Sequence, residues 1–187
     1  ALAFADRNAY VGASDFVNVP TKQMIDGGYL KRRAKEINIR RAGGRRKVGE
    51  PSILGARRLS PHEGYEGLST THLSVIDANG NAVSMTSSVE SAFGSRQMAS
   101  GFILNNQLTD FSFRPTQNGH DIANRVTAGK RPRSSMSPTL VFNKDGSLMM
   151  AVGSPGGSRI IGYVAKTLVG VIDWGLSIQE AINLPNF

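Results

Sequence analysis

At Thr70 the sequence changes character, and that break constrains the fold more than any bulk property does. From Thr70 the run TTHLSVIDANGNAVSMTSSV alternates apolar and small polar residues, a period of two that suits a strand and not a helix. The alternation occurs twice, on either side of residues 77–81, and the Asn79-Gly80 pair inside that interval is a strong hairpin signal. Upstream, residues 40–69 read RRAGGRRKVGEPSILGARRLSPHEGYEGLS, mixing glycine, proline and charge with no sustained period, as a linker or exposed loop does. An exposed linker that runs directly into a strand expected to be buried is a good place for a chain to be cut.

The remaining pattern supplies more strands and several helices. TLVF at 139–142, a turn at 143–146 and SLMMAVG at 147–153 predict a second antiparallel pair. Ile161, Val164, Leu168, Val171 and Ile172 fall at helical spacing within 158–174, and Ser177 is placed to cap a shorter helix ending at Leu184. Residues 1–9 read as a helix end, and Pro20, at a first helical turn, predicts a helix to about Ile37. Strand pairs with amphipathic helices make a layered α/β (α+β) architecture. No repeat of fixed period is present.

Charge is unevenly placed: 13 of the 22 Lys and Arg lie in residues 1–69, concentrated between Lys31 and Lys47. Without aromatic interleaving or a recognition motif, this run reads as a solvated helix face and basic loop rather than a phosphate-binding patch, so no nucleic-acid partner is expected. No apolar run approaches the roughly 20 residues of a membrane-spanning helix. The absence of cysteine removes disulfides, thiolate metal sites and a cysteine nucleophile, but leaves the compartment open. His62, His72 and His120 lack metal-ligand spacing and GxxxxGK[ST] is absent, so no metal or cofactor is expected.

The Ser69-Thr70 junction carries potential chemistry. Cutting before Thr70 would leave a strand that begins with a free α-amine, a base with a typical pKa of about 7.7–8.0 held within reach of the threonine hydroxyl. Thr-Thr at a strand start is also ordinary β propensity. The GSPGGSR segment at 153–159 lies between a strand and a helix; its Gly156-Gly157 amides can face a developing oxyanion, or simply form a tight connection.

Four blocks decide between these readings. TTHLSVIDANGNAVSMT, FILNNQLTDFSF, KRPRSSMSPT and GSPGGSRII stand in the order and spacing of blocks in the small subunit of gamma-glutamyltranspeptidases, which this chain resembles closely from Thr70 to Phe187 and more weakly before. The resemblance implies an N-terminal-nucleophile hydrolase with a four-layer αββα sandwich of antiparallel sheets. It implies a partial copy of that fold, with 1–69 the end of a large subunit plus its pre-cleavage linker and 70–187 the start of a small catalytic subunit. Thr70 takes the place of the nucleophile, cleavage falls between Ser69 and Thr70, and Ser88 takes that of a hydroxyl that hydrogen-bonds the nucleophile, with Thr86 on the same strand face. Gln107 and Asp110 match residues that hold the α-ammonium of a γ-glutamyl group, Ser134 and Ser135 match the pair that binds its α-carboxylate, and Gly156 and Gly157 match the oxyanion hole. The implied reaction is γ-glutamyl transfer from a glutathione-like donor to water, an amino acid or a dipeptide, by two subunits of one precursor. Bacterial members are often exported.

Some residues depart from the family. Glu90 stands where many members carry asparagine, adding a carboxylate near the substrate amine. The interval from Asp110 to Ser134 is shorter than in members with a lid, and predicts an open site. The family's upstream carboxylate-binding arginine is outside this sequence, and Arg114, Arg125, Arg131, Arg133 and Arg159 match no motif for that task; the 187 residues alone are expected to be inactive. The rival readings are a cephalosporin or glutaryl acylase of the same fold, disfavoured by two carboxylates where no ammonium would need them, and a noncatalytic basic binding module.

Overall fold

The computed structural model describes residues 1–41, 43–44, 46–51 and 69–186. Most of the expected linker, with His62, lies outside the described residues. In chain order the elements are α1 (Leu2–Tyr10), α2 (Thr21–Met24), α3 (Gly27–Ala34), β1 (Thr70–Ile76), β2 (Ala82–Ser88), β3 (Met98–Ala99), β4 (Phe102–Ile103), β5 (Thr116–Gln117), β6 (His120–Asp121), β7 (Thr139–Phe142), β8 (Leu148–Val152), α4 (Ile160–Ile172) and α5 (Ile178–Asn183). Each strand pairs with its sequence neighbour in an antiparallel ribbon. The chain packs as two units, Ala1–Tyr65 with Leu108–Arg133, and Glu66–Gln107 with Ser134–Phe187.

The first unit is organised around a buried charge. Asp6 on α1 accepts from Tyr29 Oη at 2.8 Å, from Arg33 Nη2 at 3.0 Å and from the Gly49 amide at 2.7 Å, so one carboxylate joins two helices and the chain beyond them. Burial of such a pair is tolerable only because its oxygens are so fully engaged. The expected helix from Pro20 to Ile37 is interrupted. Asp26 leaves helical geometry to accept the Tyr29 amide at 2.8 Å and starts α3 afresh, ahead of Gly27-Gly28, while Pro20 stands just outside α2. A side-chain cap followed by two glycines outcompetes helix continuation. In the same unit β5 and β6 form a tight ribbon, and the Asp121 carboxylate pairs with Arg125.

In the second unit β1 and β2 pair in register from Thr70↔Ser88 to Ile76↔Ala82. Their turn is closed by Asp77, whose Oδ1 accepts the Asn79 and Asn81 amides, both at 2.8 Å, with Gly80 at φ 83°. The Asn81 side chain, then these amides, hold the Asp77 carboxyl below its usual range. β7 and β8 fall within a residue of expectation, and the core is Met150, Val152, Ile160 and Val164 with Met136, Val141, Leu168 and Val171 around them. Ile172 ends α4 within the expected helical interval and points outward at 54% exposure, while Ile160, one turn before Val164, joins the buried stripe.

The two faces of the β1 and β2 ribbon are unequally covered. Leu73, Val75, Val83 and Met85 are exposed, whereas Ser74, Ser84 and Thr86 turn toward β7 and β8 or their own ribbon. Ser84 Oγ donates to Val152 O at 3.0 Å and accepts from the Thr139 amide at 3.1 Å, so the contact between ribbons is made of hydroxyls and backbone groups.

Candidate active site

Ser88 is the centre of a hydroxyl cluster at the Ser69-Thr70 junction. It lies opposite Thr70 across the ladder, and its hydroxyl accepts from Thr70 Oγ1 at 3.1 Å and from the Glu90 amide at 3.0 Å, while it donates to the carbonyl of Ser69 at 3.4 Å. One side chain therefore touches the hydroxyl of Thr70 and the carbonyl of the residue before it. Thr86, on the same face, is engaged elsewhere: it meets His72 Nδ1 at 2.8 Å.

The ladder breaks beside this junction. Thr70↔Ser88 is the last regular pair; beyond it the Ser69 amide donates to Glu90 O at 3.2 Å, one residue out of step. Glu90 makes this possible by adopting φ 74°, a left-handed conformation unfavourable for a side chain without local hydrogen bonding to the backbone. It is 2% exposed, and its carboxylate accepts from Gln107 Nε2 at 3.4 Å. Glu90 and Gln107, two of the expected substrate-binding residues, are thus adjacent.

Their adjacency depends on Asn106, to which no sequence pattern assigns a role. Its Oδ1 accepts the Ser91 amide at 3.0 Å and its Nδ2 donates to Ser91 Oγ at 3.0 Å, stitching 89–91 to 105–107. Asn124 was equally silent in the sequence. It is fully buried, donates to Asp110 O at 2.7 Å and accepts the Arg133 amide at 2.8 Å, holding the backbone at Asp110 and at the residue before Ser134. Lys130 works beside it, donating to Ala123 O at 2.5 Å and Arg125 O at 3.0 Å; burial, then nearby Arg125, lower its pKa. No motif announces a buried asparagine or lysine whose partners are all backbone.

Asp110 is buried at the end of a short 3₁₀ turn, in the first unit. Ser135 is buried, and Ser134 Oγ accepts the Met136 amide at 3.1 Å, both on the segment leading into β7. Gly156 and Gly157 follow β8 at φ 135° and 56°, opening the 3₁₀ turn that runs into α4. A Cβ on Gly156 would strike the Tyr163 ring, so both conformation and space demand glycine there. In place of an extended segment between Asp110 and Ser134, the chain makes the β5–β6 ribbon, turned by Asn118 and Gly119 at positive φ. Among the described residues no three His, Asp or Glu side chains converge as a metal site would require, and no helix is long and apolar enough to cross a membrane.

A strand-borne threonine whose hydroxyl and preceding carbonyl share one serine, followed by a glycine pair at a helix start, fits the self-processing hydrolases. The gamma-glutamyltranspeptidase family model matches residues 1–187, and the chain belongs to that family. It is 43% identical over 192 residues to the glutathione hydrolase proenzyme of Escherichia coli K12, covering 99% of this chain and 31% of that protein. Among solved structures, the T380A mutant of Helicobacter pylori gamma-glutamyltranspeptidase matches with a TM-score of 0.55 and 44% identity, over 63% of this chain and 66% of that one. Cephalosporin acylase from Bacillus halodurans matches with a TM-score of 0.74 and 25% identity, over 99% of this chain and 30% of its own. These neighbours agree with the mixed α/β fold. The chain spans about a third of the length of the curated relatives it matches.

Proposed function

We propose that the parent protein is a γ-glutamyl hydrolase and transferase made as a precursor and cut between Ser69 and Thr70, so that residues 1–69 end one subunit and 70–187 begin the other. The observation that carries this reading is the Ser88 hydroxyl, which bridges Thr70 Oγ1 and the Ser69 carbonyl. As Thr70 Oγ1 attacks the Ser69 carbonyl carbon, its proton passes to Ser88 Oγ while Ser88 gives its own to the carbonyl oxygen. Collapse of the tetrahedral intermediate breaks the Ser69–Thr70 amide, leaves an ester at Thr70 Oγ1 and protonates the released Thr70 nitrogen. Water then hydrolyses the ester, giving a Ser69 carboxylate and a free Thr70 amine.

In turnover that amine is the base. It takes the Thr70 hydroxyl proton as Oγ1 attacks the γ-amide carbonyl of a glutathione-like donor, and returns it to the leaving nitrogen. Gly156 and Gly157 amides would receive the oxyanion, Glu90 and Gln107 the donor's ammonium, and Ser134 and Ser135 its carboxylate. Water, an amino acid or a dipeptide resolves the acyl-enzyme.

The likeness to cephalosporin acylase supports a second reading, in which the acyl group lacks an ammonium. The buried Glu90 beside Gln107 weighs against it, since an acyl chain without an ammonium brings no cation toward a buried carboxylate, and a glutaryl chain brings a second negative charge. The purified full-length parent assayed with γ-glutamyl and glutaryl anilides separates the two. The reading predicts a preference of about tenfold or more for the γ-glutamyl compound, from one buried charge-assisted contact; equal or reversed preference would favour the acylase.

A further inference from the structure

His72 stands one strand step from Thr70, on the face of β1 that also carries Ser74. Its Nε2 lies 3.1 Å from Ser74 Oγ, and that hydroxyl spends its hydrogen on Ala151 O at 3.3 Å. With Ser74 accepting from Nε2–H, the neutral ring leaves Nδ1 as an acceptor for Thr86 Oγ1 at 2.8 Å. The arrangement satisfies a neutral ring, and burial lowers the pKa of this imidazole.

The ring also has a defined seat. Gly153 follows the last residue of β8, and a Cβ built on it would overlap three atoms of the His72 ring. Gly153 does not sit at positive φ, so what it supplies is room for the imidazole. In the two residues before it, the carbonyls of Ala151 and Val152 receive the Ser74 and Ser84 hydroxyls, respectively. The end of β8 is thus pinned to the nucleophile-bearing ribbon by two hydrogen bonds and one packed ring, immediately before the Gly153–Gly157 turn.

We propose that His72 is a positioning residue, seated on Gly153 and bonded to Thr86 and Ser74, that sets where the Gly156-Gly157 amides stand relative to Thr70. This rests on the reading of those amides as oxyanion donors. Such a residue acts on the transition state more than on donor binding, because the charge it serves develops only in reaction.

The test uses the full-length parent as wild type, His72→Ala, Gly153→Ala and the double variant. Amide exchange in peptides covering 153–159 should quicken about tenfold in each single variant and return toward wild type in the double, where the alanine methyl occupies the vacated ring space. On a γ-glutamyl anilide, kcat should fall about tenfold in each single variant with KM within about twofold, and partly recover in the double. Gly153→Ala keeps every hydrogen-bonding group, so it decides the matter should His72→Ala fail to fold. Unchanged exchange across 153–159 in the single variants, or damage that merely adds in the double, overturns the proposal. A wild type that exchanges as expected yet turns over no γ-glutamyl donor would overturn the functional reading, while the exchange data still judge the His72 seat.

Discussion

Glu90 combines two unfavourable features, a left-handed backbone at φ 74° and a carboxylate at 2% exposure. Asparagine, the residue many family members carry there, tolerates this backbone region far better. Glu90→Asn is therefore expected to raise unfolding stability by ~1 kcal/mol, readable in urea melts. If the carboxylate serves an ammonium, the same change raises KM for a γ-glutamyl donor about tenfold and leaves a glutaryl donor unaffected. His72 supplies a second prediction at this scale. Burial lowers its pKa below the ordinary value near 6.5, so the unfolded chain binds the proton more readily than the folded one. The stability contributed by the neutral ring is complete above pH 6.5 and is lost as pH falls toward the lowered folded value. A variant with asparagine at 72 should show a flatter stability profile below pH 6.5 than wild type; identical slopes would show that His72 does not titrate this way. Motif order pointed to Thr70 and Ser88, which the structure pairs across β1 and β2, whereas the contacts of His72, Asn106 and Asn124 were hidden, because they depend on which groups arrive beside them from elsewhere in the chain.

Element boundaries followed local chemistry where that chemistry was unopposed. Ser177 caps α5 as expected, and its hydroxyl and amide both bond Glu180 Oε2, at 2.7 and 2.8 Å, in a full capping box. Ser177→Ala should cost ~1 kcal/mol, measured as a shift in the urea midpoint at unchanged slope. The other end of α5 is closed by a residue no capping rule would select: Lys166, from α4, donates to Ile182 O at 3.0 Å and Leu184 O at 2.7 Å. A cation at a helix C-terminus satisfies orphan carbonyls and the helix dipole together. The split between α2 and α3 shows the opposite case. The interval from Pro20 to Ile37 has helical composition, but Asp26 offers a cap whose competition with continuation is settled by geometry rather than periodicity.

At the scale of the whole molecule, the alternation in β1 and β2 identified the two faces of a ribbon without saying which would pack. The polar face packs, through Ser74 and Ser84, and the apolar face of Leu73, Val75, Val83 and Met85 is exposed. Periodicity reports that two faces differ; what covers each depends on partners distant in sequence. The two compact units divide the chain by packing, while the proposed cut before Thr70 would divide it at a different place. The most direct test is intact mass spectrometry of the full-length parent at neutral pH, comparing wild type, Thr70→Ala and Ser88→Ala. Wild type should split between Ser69 and Thr70, Thr70→Ala should remain whole, and Ser88→Ala should split about 10²-fold more slowly. A wild type that stays intact, or a Thr70→Ala variant that still splits at this bond, would contradict Thr70 as the nucleophile and with it the proposed reaction.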